Sequence, residues 1–214
     1  METIDTHFHL PVGEMTVTLQ DVALLLGLHI DGEPFTGDTA YDWYAECERL
    51  LGLRPDAKTI TGFSLRLRWL SQHFSKFPQQ VGKHTREYHS RAYILYLFGA
   101  ILFTDSSGDT VLLMFLPLLD NLELVHLYSW GSATLAWLHR SLCRASRRGA
   151  TQLDGNLLLL RLWAWERLHI GLPQIHSVRA PQMHAPEVGK GVSDMVEEVA
   201  KGMVPQVQPA GELP

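Results

Sequence analysis

Cysteine is scarce in these 214 residues: Cys47 and Cys143 stand far apart, with no further pair to build a disulfide framework or a four-ligand zinc site. That scarcity fits a reducing compartment. Long apolar runs are also missing. Residues 93–103 and 111–119 fall short of the roughly 18 to 20 residues a membrane helix needs, and Asp105 and Asp109 lie between them. The opening METIDTHFHL has no basic segment leading into an apolar one, so it does not read as a secretory signal. Positive charge is not in excess. Eighteen Lys and Arg against 23 Asp and Glu leave a net charge of −5, which excludes a global pull toward nucleic acid or an anionic membrane. No G-x-x-x-x-G-K-S/T or G-x-G-x-x-G loop offers backbone N–H groups to a phosphate, and neither G-x-S-x-G nor H-E-x-x-H occurs. The common nucleotide-dependent and hydrolytic sites are therefore not signalled. No catalytic, cofactor-binding or metal-binding residue is assigned.

What is present is a core. Hydrophobic residues make up 46% of the chain and include six Trp, enough for one globular, soluble domain. The composition changes at Leu172-Pro173, beyond which aromatics disappear and Gly, Pro, Val and Gln dominate. This divides the chain into a domain over residues 1–173 and a poorly ordered tail over 174–214. Residues 6–10 and 15–18 flank Pro11-Val12-Gly13-Glu14 and predict a hairpin. Thr18 followed by Asp21 has the form of a helix cap, with Leu19, Val22, Ala23, Leu25 and Leu26 recurring at helical spacing until Gly27. Further helices are predicted over 41–51, 62–74, 84–103, 111–119, 132–147 and 155–169, each bounded by Gly, Pro or Asp signals. With no βαβ alternation and no internal repeat, the expected fold is mainly α, a helical bundle with a short N-terminal β-hairpin.

Several side chains invite a functional reading. His7 and His9 share one face of a strand, and His139 and Cys143 are one helical turn apart, but each is a pair where a transition metal needs three or four ligands. Both read as structural. Trp130, Trp137, Trp163 and Trp165 read as core, with Trp137 and Trp163 on facing helices, because no basic groove accompanies them as single-strand binding would require. Residues 18–28 have the look of the first helix of a helix-turn-helix, yet the turn-rich 29–37 that follows carries nothing to read base edges. The strongest charge feature is Arg140, Arg144, Arg147 and Arg148, which fall at i, i+4, i+7 and i+8 and form one basic stripe ahead of Gly149. A helix C-terminus favours cations on its own account; the same stripe could meet a phosphate or an acidic partner.

The ordered motifs carry a family likeness. THFHLPVGEMTVTLQDVALLLGLHIDGEPFTG, at residues 6–37, resembles the signature block of the plant mobile domain. The likeness continues through WYAECERLLG, SRAYILYLFGAILFTDSSGD, FLPLLDNLE, YSWGSATLAWLHRSLCRAS and GNLLLLRLWAWERLHIG. The resemblance implies a domain found in plant nuclear proteins of the MAINTENANCE OF MERISTEMS type, in a phosphatase-like long form and in transposable elements, hosts linked to transposon silencing, genome integrity and meristem maintenance. It also implies a copy truncated at both ends. The family carries the label aminotransferase-like, but a pyridoxal enzyme needs a Schiff-base lysine in a large α/β scaffold. The five lysines here, Lys58, Lys76, Lys83, Lys190 and Lys201, fall in predicted loops, helix edges or the tail. The Asp, His and Asn ligands of a two-metal phosphatase are not found either. The expectation is a non-enzymatic interaction module of a nuclear protein, or a transposon remnant, with a protein partner, no cofactor and no membrane. The alternatives are a cryptic enzyme and a direct DNA binder working through the arginine stripe.

Overall fold

Thr18 begins the first helix as its residue chemistry predicts. Its hydroxyl accepts from the Asp21 N–H at 3.3 Å while the Asp21 carboxylate accepts from the Thr18 N–H at 3.0 Å, so two otherwise orphaned backbone donors are satisfied reciprocally. The helix, α1 (Leu19–Leu26), stops at Gly27, whose φ of 65° is the left-handed cap that a Cβ would resist. These features come from a computed structural model, which describes residues 7–11, 13–34, 36–37, 40–77, 82–147, 149–150 and 154–170. The expected disorder of the tail falls outside the described residues.

Ahead of α1 lies the expected hairpin, shifted in register. Strands β1 (Phe8–Leu10) and β2 (Gly13–Met15) pair antiparallel, with Phe8 opposite Met15 and His9 opposite Glu14. Gly13 and Glu14, expected in the turn, thus belong to the second strand. Thr16 to Thr18 are not strand. They lead into the cap of α1, with Val17 fully buried on the way.

Helix α2 (Trp43–Leu51) is capped by Asp42, which accepts from the Tyr44 and Ala45 N–H groups, and it buries Cys47 against the rest of the core. Burial, with Glu46 beside it, pushes the Cys47 thiol up to about 12, so it serves as a small hydrophobe rather than a nucleophile. Next come β3 (Ile60–Thr61), β4 (Ser64–Arg66), α3 (Leu67–Phe74), α4 (Lys83–Leu97), β5 (Thr110–Leu112), α5 (Trp130–Ala145) and α6 (Leu157–Trp163). The last turns of α4 and α6 run on as π-helix over Phe98–Leu102 and Ala164–Leu168.

Two predicted helices are corrected. Residues 62–74 begin as strand, because Ser64-Leu65-Arg66 alternates half-buried, buried and exposed with period two before α3 starts at Leu67. Residues 111–119 are not helical: β5 is followed by the 3-10 turns Leu113–Phe115 and Pro117–Leu119. β4 and β5 pair with Leu65 opposite Val111, making with β3 a three-stranded antiparallel sheet whose members lie far apart in the chain. Gly99, in the π turn, lies against this sheet. A Cβ there would fall 2.7 Å from Val111 Cβ and 2.9 Å from the Thr110 carbonyl oxygen. The absence of a side chain lets helix and strand touch.

The core is one aromatic and leucine-rich cluster. Phe98, Phe103, Phe115 and Trp130 form edge and tilted ring pairs, and the Trp130 indole donates to the Val125 carbonyl at 2.7 Å. Arg91 is buried with them. Its guanidinium donates to the carbonyls of Leu119, Leu50 and Asp120, which closes the ends of α2 and the Pro117–Leu119 turn together. Helices α5 and α6 both pack on α1. Trp163 is buried but stacks on Phe8 of the hairpin, centroids 5.4 Å apart, while Trp137 is half-buried and meets Phe103 edge-on. The two tryptophans therefore fasten different neighbours rather than each other. No described helix is long and apolar enough to cross a membrane.

Candidate functional site

Arg140 and Arg144 lie one turn apart on α5, and Arg147 follows just beyond its end. Arg140, Arg144 and Arg147 are exposed, with Leu135 and Leu138 buried and Leu142 half-buried on the packed side. Arg148 lies outside the described residues. The helix ends at Ala145, two residues short of the predicted end, and Arg147 sits in the following turn with its N–H on the Arg144 carbonyl at 3.3 Å. The three arginines are not equivalent. Arg144 is bound by Asp154 at 2.5 Å, whereas Arg140 and Arg147 form no side-chain hydrogen bond or ion pair among the described residues.

Asp154 connects the stripe to a cavity that motif spacing did not indicate. Its chain neighbour Gly155 has φ of 96°, and a Cβ on it would fall 2.7 Å from the Ser141 side chain, so residues 154–155 sit directly on α5. The Gly155 N–H donates to the Thr104 carbonyl at 3.2 Å, and the Thr104 hydroxyl donates back to the Gly155 carbonyl. The Trp137 indole donates to the same Thr104 carbonyl at 3.1 Å. Asn156, completely buried, caps α6 by accepting the Leu159 N–H at 2.8 Å; its amide nitrogen has no partner among the described residues. Between these welded segments opens a cavity of about 410 Å³, with Ala100, Ile101, Leu157 and Leu158 as apolar wall and the 104–108 turn as rim. Leu157 and Leu158 remain 44% and 45% exposed, a pair of large apolar side chains left facing solvent.

The rim hydroxyls and carboxylates are mostly committed. Burial acts to raise the Asp105 carboxyl, but hydrogen bonds from the Thr110 and Ser107 hydroxyls and the Gly108 N–H outweigh it and hold the group below the usual carboxylate range. Asp105 is thus an ionised turn-former. No described lysine lines the cavity; Lys58 and Lys76 are exposed, and Lys83 pairs with Glu87 at 3.7 Å. Among the described residues no group of three His, Cys, Asp or Glu side chains is placed to hold a metal ion. His9 faces Glu14 across the hairpin at 3.3 Å. His139 lies 3.5 Å from the Thr16 hydroxyl, and burial depresses its pKa, with Val17 opposing and His7 reinforcing the shift.

Residues 104–109 and 155–156 both fall within the family-like blocks, but nothing in the sequence signals that they meet. Thr104 and Gly155 are 51 positions apart, and no local periodicity reports such a pairing.

Fold and site together define a mainly α domain, stitched by two small antiparallel sheets, with an apolar cavity beside a basic helix end. The chain belongs to the plant mobile domain family, whose model matches residues 3–199. Its relatives in Arabidopsis thaliana include the serine/threonine-protein phosphatase 7 long form homolog, 51% identical over 170 residues, which are 79% of this chain and 13% of that protein. Protein MAIN-LIKE 2 is 42% identical over 169 residues, 79% of this chain and 25% of the relative. Protein MAINTENANCE OF MERISTEMS is 36% identical over 169 residues, 78% of this chain and 35% of the relative. The chain thus spans a minor part of the length of each. No solved structure matches it.

Proposed function

We propose that this chain is a non-enzymatic interaction module of a nuclear protein, with a docking face that joins the end of α5 to the Leu157-Leu158 cavity. The observation that carries the reading is the Arg144–Asp154 pair. It fixes the cavity wall to the arginine stripe, so that apolar and basic elements form one continuous face. An aliphatic side chain of a partner fits the cavity, and partner carboxylates fit Arg140 and Arg147, which flank Arg144 in the sequence. The relative named MAINTENANCE OF MERISTEMS supports a role in meristem maintenance, and the family resemblance adds transposon silencing and genome integrity as proposed settings.

Charge decides between protein and nucleic acid. With Arg144 and Asp154 neutralising each other, two described arginines of the stripe are free, and the ionised Asp105 at the cavity repels phosphate. Two phosphate contacts give a salt slope near −2, far below that of proteins making six to ten such contacts. An acidic, partly apolar protein segment is the better fit. The test is a titration with duplex DNA at two salt concentrations. Weak binding that an Arg140→Ala/Arg147→Ala variant barely changes is expected; tight, steeply salt-dependent binding lost in that variant supports the DNA-binding alternative instead.

A further inference from the structure

Ser106 stands on the rim of the cavity, where its hydroxyl is left out of the hydrogen bonding that closes the turn. The turn around it consumes its neighbours: Ser107 and Thr110 donate their hydroxyls to Asp105, and Gly108 donates its N–H to the same carboxylate. Ser106 itself is exposed, and its hydroxyl makes no hydrogen bond among the described residues. Asp105 precedes it, and the exposed Asp109 follows three positions on. Of the described serines and threonines, two have a carboxylate at that third position, Ser106 and Thr18. Thr18 is closed into the cap of α1, facing a buried Asp21. Ser71 follows Arg66 and Arg68, the pattern of a basic recognition site, but it lies inside α3 with its hydroxyl on the Arg68 carbonyl.

We infer that Ser106 is a phosphorylation site for an acid-directed serine/threonine kinase, one whose substrate groove presents cations to carboxylates flanking the acceptor. The γ-phosphoryl group of ATP passes to Ser106 Oγ, the bond from γ-phosphorus to the ADP oxygen breaks, and the hydroxyl proton leaves to the kinase's base. The product carries about −1.5 to −2 extra charges beside an ionised Asp105. No basic residue lines the cavity, so the phosphate faces outward. There it repels an acidic partner and recruits an arginine-bearing one. The site itself stands independently of the docking reading.

The test treats the full chain with ATP and an acid-directed kinase, followed by intact mass and peptide mapping. One phosphoryl group, mapped to Ser106, is expected. Ser106→Ala abolishes incorporation, and Asp109→Asn slows it about tenfold through loss of one charge-assisted contact. Peptide mapping of the parent keeps the result decisive should a variant fail to fold. No incorporation into folded parent, phosphate mapped elsewhere, or an unchanged rate in a folded Asp109→Asn variant overturns the inference.

Discussion

Trp163 is the clearest single residue on which to test the packing. It is 2% exposed and stacks on Phe8, so Trp163→Ala removes both core volume and the anchor of the hairpin. A loss of about 3 to 5 kcal/mol in denaturant unfolding is expected; Trp165→Ala, at a half-exposed ring under Arg161, should cost far less. Asp21 is the second such residue. Arg167 donates to its carboxylate from Nε and Nη2 at 2.9 and 2.6 Å, tying the end of α6 to the start of α1. Burial acts to raise the Asp21 carboxyl, but Arg167 and Thr18 prevail and its pKa is lowered. A depressed carboxyl contributes stability that is complete above its ordinary value of about 3.9 and is lost as pH falls through the folded value. Arg167→Ala should therefore destabilise near neutral pH and lose much of its effect in acid. The expected cost is about 1 to 2 kcal/mol, below that of a fully buried pair because Arg167 is 45% exposed. His139 works at higher pH. Its pKa is lowered by burial, so the unfolded chain takes up the proton first and stability declines as pH drops below about 6.5. Melting curves between about pH 8 and 5 should show that decline, and His139→Gln should flatten it.

At the scale of elements, the lesson lies in what local pattern can report. The cap of α1 was legible because Thr18, Asp21 and Gly27 carry their chemistry within one short stretch. The hairpin was legible as a hairpin, but its register, with Gly13 opposite Leu10, was not, because the Pro-Val-Gly-Glu run left the start of the second strand ambiguous. The three-stranded sheet was not legible at all. Its strands are two or three residues long, too short to show a period, and Leu65 finds Val111 only through the tertiary fold. Likewise, spacing alone puts Arg140 and Arg144 one helical turn apart, while the capture of Arg144 by Asp154 was not legible, since residue 154 belongs to a different segment. Gly99 tests the junction of π turn and sheet. Gly99→Ala should cost about 1 to 3 kcal/mol, because Val111, Leu67 and the Thr110 carbonyl leave no room for the added carbon. A stabilised Gly99→Ala protein, as helix propensity alone predicts, contradicts that packing.

At the scale of the whole molecule, the described residues share one core cluster, and the Leu157-Leu158 pair stays exposed beside the cavity. Helix α1 joins α5 and α6, which both pack on it, α4 joins α2 and α3 in the same way, and the hairpin meets α6 through Phe8. The proposed docking face would draw on α5, the 104–108 turn and the start of α6, segments that meet only in the folded chain. Leu158 is 45% exposed, and Leu158→Glu should leave the melting temperature nearly unchanged while placing a charge where a partner's apolar side chain would enter. The most direct measurement of the docking claim is quantitative affinity capture from nuclease-treated plant nuclei, comparing the parent with Leu158→Glu and with Arg140→Ala/Arg147→Ala. The account predicts that the same proteins are lost from both variants and kept by the parent. Capture that is unchanged in both folded variants, or that disappears from the parent on nuclease treatment, would contradict it.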